Sequence, residues 1–426
     1  MKFSHAIVLD LETTIRAPKP HFGATPNWPE NKIVAVGLMT LHYCDSYREC
    51  IPQETTKVIL ADSISAYYSE LNRINEVIWG APFALVGHNI GFDLQYLMQA
   101  ERINAFKKHG CEQDWTTVKP LFLWDTMKFH HIQTGRGNPN PSLEKVAAWW
   151  KIPFKKDTEI KERFKAGIGA DQIDEALLYE YLEGDVRATA EIFAKQKEYC
   201  TQQGEKFTNY ILEMMKSIET TTSISNTGLS FDVLGATKER DKLEEELTLL
   251  EETFKKKWEK YWVEDAETAF NPGSPLQIET LLWGGNIKVP LTEVVKDEHG
   301  KPVLYKTGAR KGQVKTRKAT TIQYIEPLVQ ERIINLFKRK GWETKSSAQT
   351  LSNLVKYEKD IAGAFAKDIL KLRNKAKNIT TYYKPYLNFA VNGTIHPSYN
   401  HCVTQTGRLS SSKPNMQNIN SKDNRQ

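Results

Sequence analysis

Ala6-Ile7-Val8-Leu9-Asp10-Leu11-Glu12 decides how this chain is read. Four apolar residues in a row call for a buried strand. Alternate side chains of a strand share a face, so Asp10 and Glu12 point the same way from a position that should be core. Two carboxylates side by side there repel each other. A divalent cation between them removes the repulsion, and hard oxygen ligands suit Mg²⁺ or Mn²⁺. A strand end reaching solvent would explain the same residues, so the choice rests on acidic residues farther along the chain.

Working outward, the apolar run Phe83-Ala84-Leu85-Val86 leads into Gly87-His88-Asn89-Ile90-Gly91-Phe92-Asp93, and Leu94, Tyr96 and Leu97 continue as the first turns of a helix. Asp93 then sits where a strand hands over to a helix, a common place for ligands in α/β sheets. Farther on, Tyr179-Glu180-Tyr181-Leu182-Glu183-Gly184-Asp185-Val186-Arg187-Ala188 reads as helix, with Tyr181 and Asp185 four apart on one face. A phenol beside a carboxylate there can hold a water near a metal bound by that carboxylate. Taken singly, Asp93 also reads as a helix cap, Asp185 as a solvated acid and Tyr181 as packing.

In order, Asp-x-Glu, Asn-x-x-Phe-Asp and Tyr-x-x-x-Asp resemble the 3′-to-5′ exonuclease family that proofreads for DNA polymerases, the four-carboxylate class with a tyrosine. Asp125-Thr126, after Leu121-Phe122-Leu123-Trp124, resembles the strand end this family carries between its second and third motifs. The resemblance implies an RNase H-like domain, a mixed sheet flanked by helices. It also implies phosphodiester hydrolysis by two divalent cations about 4 Å apart, Mg²⁺ or Mn²⁺. Asp10 would bridge the two ions, Glu12 and Asp185 would complete the tighter site, and Asp93 would hold the second ion through water. Tyr181, with Glu12, would orient the attacking water, and Asn89 would touch the DNA. The product would be a nucleoside 5′-monophosphate released from a frayed 3′ end.

At 426 residues, 40% of them hydrophobic, the chain calls for two or three domains with ample core. A net charge of +6 and a pI near 8.8 suit a polyanionic partner. Cys44, Cys50, Cys111, Cys200 and Cys402 are scattered without a Cys-x-x-Cys pair, which argues against structural zinc or a disulfide framework. No signal-like N-terminus and no apolar run near eighteen residues occurs, so the expectation is a soluble, cytoplasmic protein.

Strand-like runs at Ala6–Leu9, Ile33–Leu41 and Leu85–Val86 alternate with helical patterns near Ile64–Trp79, Asp93–Ala105 and Asp174–Lys197, the signature of an α/β domain. A Gly- and Pro-rich loop, Thr134 to Pro141, precedes a helix opening at Ser142. After Gly204 the pattern turns helical. Leu243, Leu247, Leu250, Phe254 and Trp258 mark one apolar face. The phrases Thr227-Gly228-Leu229-Ser230-Phe231-Asp232, Phe270-Asn271-Pro272-Gly273-Ser274-Pro275 and Lys345-Ser346-Ser347-Ala348-Gln349-Thr350-Leu351 are similar in succession to the thumb of family A DNA polymerases. Between Lys301 and Lys318 lie seven basic residues and no acidic one, with Gly308 and Gly312 interspersed. Lys311, Lys315, Arg317 and Lys318 there suit a flexible, phosphate-contacting hairpin.

The last stretch, Ile395-His396-Pro397-Ser398-Tyr399-Asn400, Thr404-Gln405-Thr406-Gly407-Arg408-Leu409-Ser410-Ser411-Ser412 and Pro414-Asn415-Met416-Gln417-Asn418-Ile419, resembles the start of the family A palm. By that resemblance Arg408 reaches the minor groove at the primer end, where the acceptors look alike in all base pairs. Thr406, Ser410, Ser411, Asn415, Gln417 and Asn418 join it as DNA contacts. The organisation implied is an exonuclease at 1–203, a thumb region at 204–394 with a basic insertion at about 295–320, and the start of the palm at 395–426. The aspartates and fingers helix of a complete polymerase are expected on a second polypeptide or beyond a truncation, and no 5′-nuclease domain is expected ahead, as in a phage replicative polymerase. A non-catalytic DNA-binding or assembly subunit and a free-standing exonuclease are the competing readings.

Overall fold

The computed structural model describes residues 5–16, 25–28, 30–42, 57–60, 83–98, 122–154, 158–262, 270–307 and 310–419. The chain divides into two compact units, one formed by residues 1–233 and 385–426, the other by 234–384. These boundaries follow compactness, whereas a division at 203 and 394 follows motifs. The helix expected over Ile64–Trp79 and the segment 99–105 lie outside the described residues.

The first unit is built on a five-stranded mixed sheet of order β3-β2-β1-β4-β5. Its strands are β1 (His5–Thr13), β2 (Ile33–His42), β3 (Lys57–Leu60), β4 (Phe83–Gly87) and β5 (Phe122–Asp125). The strands β1–β2 and β2–β3 pair antiparallel, β1–β4 and β4–β5 parallel. Both faces of β1 are covered, which is why residues 6–9 are continuously apolar rather than alternating. Its coverings include α1 (Gly91–Met98), α2 (Thr126–Gln133), the long α5 (Glu175–Gln203) and α6 (Glu205–Thr227), which bury Leu94, Phe129, Phe193 and Met215 in one core with the sheet. Two shorter helices, α3 (Leu143–Trp149) and α4 (Thr158–Ala166), add satellite clusters.

One glycine sets how closely helix and sheet approach. Gly37 lies opposite Asp10 in the β1–β2 register, and a Cβ placed on it would come 2.5 Å from Val186 Cγ2 and 2.9 Å from Leu182 Cγ. Only the absence of a side chain lets α5 lie this near β2, and α5 carries Asp185.

After the short strand β6 (Leu229–Ser230) and the start of α7 (Val233–Trp258), the second unit is mainly helical: α8 (Pro275–Trp283), α9 (Glu331–Lys340), α10 (Ala348–Tyr357) and α11 (Ile361–Lys377). Phe254, Trp258, Leu281, Phe337, Leu354 and Phe365 form its core, with Trp258 edge-on to Phe365 at 5.1 Å. On the face expected for α7, Leu243, Phe254 and Trp258 are buried, and Leu247 packs partly buried against the core. Two of the thumb-like phrases serve as helix starts. Ser274 caps α8 through Gln277 N–H, with Pro275 in the first turn, and Ser347 caps α10 through Thr350 N–H. Between α8 and α9 stands a two-stranded ribbon of β7 (Gly285–Val294) and β8 (Thr316–Ile325), antiparallel over ten pairs without a register shift.

The chain returns to the first unit through α12 (Lys384–Phe389) and three short strands, β9 (Ala390–Val391), β10 (Thr394–Ile395) and β11 (Ser398–Asn400), ending in β12 (Ser410–Ser412), which pairs with β11. Among the described residues no helix is long and apolar enough to cross a membrane.

Candidate functional site

At the end of β1 the side chains of Asp10 and Glu12 share the sheet face on which α5 packs, and a register shift between Glu12 and Thr13 marks where regular pairing ends. Such irregularities re-aim side chains at strand ends. Helix α5 brings Asp185 to the same place. One carboxylate oxygen from each of Asp10, Glu12 and Asp185 lies within 4.8 Å of the others. This all-oxygen donor set fits a hard divalent cation.

Asp93 stands beside the trio rather than within it. It is buried in the first turn of α1, and its Oδ1 accepts the Leu11 N–H at 3.0 Å, tying the strand–helix junction to the residue between the two β1 carboxylates. Burial raises its carboxyl well above the ordinary range, and the charge of Asp10 pushes it further.

Tyr181 lies one helical turn before Asp185 and is buried against Ala35, Ile160 and Leu178, its ring edge-on to Phe164 at 6.0 Å. Both residues open on a cleft of about 550 Å³, lined also by Pro153, Phe154, Leu177 and Arg187. The cleft has an aromatic wall, a cation and an acidic end.

Asn89 is exposed at the turn before α1, in a left-handed conformation with φ 63°. Its N–H donates to Asp125 Oδ1 at 3.1 Å, and the same carboxylate caps α2 by accepting from Met127 N and Lys128 N. Asp125 is buried, and burial raises its carboxyl. Asp125 thus braces the Asn89 turn.

The palm-like stretch folds against these elements. Arg408, Thr406, Asn415, Gln417 and Asn418 are exposed, and Ser410 is half-buried. Ser411 is different. Its buried hydroxyl donates to Pro414 O at 3.3 Å and accepts from Met416 N at 3.2 Å, so it shapes the turn. Gly407 (φ 76°) sits where a Cβ would meet the Arg136 guanidinium at 2.7 Å, and Asn140 N–H donates to Cys402 O at 2.8 Å. The Gly- and Pro-rich loop from Thr134 to Pro141 therefore seats the Thr406-Gly407-Arg408 turn.

A pair formed by the buried Lys128 and the half-buried His401 had no signal in the sequence. Lys128 Nζ reaches Met214 O, donates to Ser217 Oγ at 2.8 Å, and lies 3.0 Å from His401 Nδ1. His401 Nε2 is 2.8 Å from Thr221 Oγ1, whose hydroxyl faces Ser217 O and Ile218 O. A hydroxyl that donates to those carbonyls leaves His401 as the donor to it, so Nδ1 accepts from the lysine. Burial brings Lys128 down to about 8 and, with the lysine charge, His401 to about 3. This network joins α2, α6 and the connection that follows β11 within one compact unit.

The four residues expected at the basic insertion, Lys311, Lys315, Arg317 and Lys318, are exposed on the ribbon of the second unit. The stretch expected to be flexible is regularly hydrogen-bonded. Beyond the ladder, Val295 N–H donates to Lys315 O and Lys315 N–H to Val303 O, so the hydrogen bonding continues past the paired strands among the described residues.

Residues 240–426 match the family described as DNA polymerase family A. The match begins inside α7 and leaves out the carboxylate trio. Among solved structures the chain is similar to the POL domain of Pol1 from M. smegmatis, solved in complex with DNA primer-template and dNTP. The TM-score is 0.51 at 13% sequence identity, over 97% of this chain and 53% of that one. The chain thus spans about half the length of that structure, and the likeness is one of fold. No curated protein matches the chain.

Proposed function

We propose that this chain is the N-terminal part of a family A DNA polymerase of the phage replicative type. Its residues 1–203 act as an RNase H-like, metal-dependent 3′-to-5′ proofreading exonuclease, 204–394 as the thumb region and 395–426 as the start of the palm. The observation that carries the nuclease reading is the convergence of Asp10, Glu12 and Asp185, from distant parts of the chain, within 4.8 Å. The polymerase reading rests on the family match over 240–426.

Asp10, Glu12 and Asp185 would hold the divalent ions, Mg²⁺ or Mn²⁺, with Asp93 beside them. Bound there, such ions supply a water nucleophile at neutral pH and neutralise charge on the leaving oxygen. The protein's own residues do the rest. Tyr181, a turn from Asp185, and Glu12 orient the attacking water. The cleft takes the 3′-terminal nucleotide, its base against Phe154 and its phosphate toward the acidic end, while Asp93 holds Leu11 and thereby the spacing of Asp10 and Glu12. No covalent intermediate is needed, and the product is a nucleoside 5′-monophosphate. Asn89 and the exposed face of the palm stretch, Thr406, Arg408, Ser410, Asn415, Gln417 and Asn418, grip the DNA.

Nucleotide addition requires two further aspartates and a nucleotide-binding helix. This reading places them outside residues 1–426, on a continuation of the chain or on a second polypeptide.

The test is release of mononucleotides from a 3′-mismatched primer-template with Mg²⁺, comparing the wild type with Asp10→Ala/Glu12→Ala. Release that the double substitution abolishes supports the reading. A wild type that binds the DNA and leaves it intact overturns it in favour of a DNA-binding subunit.

A further inference from the structure

The ribbon of β7 and β8, with the tip between them, spans residues 285–325 and holds nine basic against three acidic residues, a net charge of +6. The whole chain has a formal net charge of +6, so everything outside the ribbon balances to zero. A charge excess gathered this completely on one element is not the dispersed solvation of an ordinary surface.

Geometry adds to composition. All seven basic residues between Lys301 and Lys318 are exposed. Among the described residues one ion pair involves these seven, Arg317 with Glu293 at 3.0 Å across the ladder. The register puts Lys288 opposite Ile322, Asn286 opposite Tyr324 and Thr292 opposite Lys318, all on one face. On that face Ile322 is 70% and Tyr324 56% exposed. The other face points Val289 inward, where it is buried. Ile325 on that face joins the core of the second unit, with Ile287 packed against it. Among the described strands these two pair only with each other.

We infer that this ribbon is a docking surface for the sugar–phosphate backbone of double-stranded DNA, bound without regard to sequence. The inference rests on the reading that DNA is the substrate. Ten residues of strand extend about 33 Å, close to one turn of duplex, and the major groove admits a two-stranded ribbon. Single-stranded DNA calls for a series of stacking aromatics along a basic groove. Here the exposed face offers Tyr324 alone among its described residues, against a surplus of cations, which favours the duplex backbone over unpaired bases. An acidic protein surface is the competing occupant.

The experiment measures binding of the full chain to a mixed-sequence duplex of about thirty base pairs, in EDTA so that no nuclease chemistry intervenes, from 50 to 300 mM KCl. The variant is Lys306→Gln/Arg310→Gln/Lys311→Gln/Lys315→Gln. A control removes four exposed lysines elsewhere, Lys145→Gln/Lys216→Gln/Lys255→Gln/Lys256→Gln. Each lost phosphate contact lowers the slope of log K against log salt by about 0.9, so the ribbon variant should lose about 2 to 4 units of slope and roughly a hundredfold or more in affinity at 0.1 M. The control should lose much less. Replacing Lys306, Lys311 and Lys315 by Arg should keep wild-type binding, and thermal melting confirms folding of each variant.

Equal losses in ribbon variant and control would reduce the effect to net charge and overturn the inference. So would wild-type duplex affinity and slope in the ribbon variant, which would leave the acidic-partner alternative. A greater loss on single-stranded than on duplex DNA would overturn the choice of ligand. Mononucleotide release by the ribbon variant from a short single strand reports on the nuclease reading separately.

Discussion

Replacing Asp10 by Asn should stabilise the protein when no metal is present, and metal should cancel that advantage by stabilising the wild type alone. Three carboxylate oxygens within 4.8 Å repel one another pairwise by about 3.5 kcal/mol at an effective dielectric of about 20. Asp10 takes part in two of the three pairs. Asp10 and Glu12 are half-buried, so solvent screening reduces the relief to about 3 kcal/mol for both pairs together. For a unit of this size, about 2 °C of melting temperature accompanies each kcal/mol, so Asp10→Asn should melt about 6 °C higher in EDTA. With Mn²⁺ at about a hundred times its dissociation constant, the wild type should gain about 2.7 kcal/mol by mass action while the variant gains little, so that the gap largely closes. Calorimetry in EDTA and in Mn²⁺ reads both shifts without measuring any activity. Equal metal-induced shifts in the two proteins, or a lower melting temperature for Asp10→Asn in EDTA, would refute the reasoning that the trio is a strained cation site.

Three further outcomes are expected. Gly37→Ala places a methyl 2.5 Å from Val186 Cγ2; overpacking of this kind costs about 1–3 kcal/mol and shifts α5 with Asp185, so mononucleotide release should fall on the order of a hundredfold while duplex binding in EDTA is unchanged. Burial lowers Lys128 to about 8, so between pH 8 and 10.5 the folded form binds fewer protons than the unfolded one and stability rises with pH, by about 3 kcal/mol over the full window. The buried Cys200 thiol, raised to about 11, opposes this above pH 9, so the clean reading is the pH slope of urea stability in wild type minus that in Lys128→Met, which should be positive. Phe365→Ala empties the core of the second unit against Trp258 and Phe254 and should cost about 3–5 kcal/mol in urea unfolding followed by tryptophan fluorescence, with mononucleotide release retained below that transition.

Much of the carboxylate site was legible because its elements are local. A run such as Ala6–Leu9 is apolar on both faces only when helices cover both, and two acids at i and i+2 behind it must share a face whatever the rest of the chain does. The same holds for Tyr181 and Asp185 on α5, the caps at Ser274 and Ser347, and the basic run from Lys301 to Lys318, because helix period, cap chemistry and charge are properties of short segments. What only the tertiary structure decided depends on residues far apart in the chain. The resemblance implies that Asp185 joins Asp10 and Glu12, but their approach to within 4.8 Å depends on α5 crossing β2 at Gly37, a glycine with no local turn to announce it. The Lys128–His401 pair unites residues 273 positions apart, and neither carries a mark of burial in its neighbours. Ser411 is expected among the DNA contacts, and only the turn around Pro414 turns its hydroxyl inward. Alternation and charge are written along the chain, while proximity and burial arise only when distant segments close on one another.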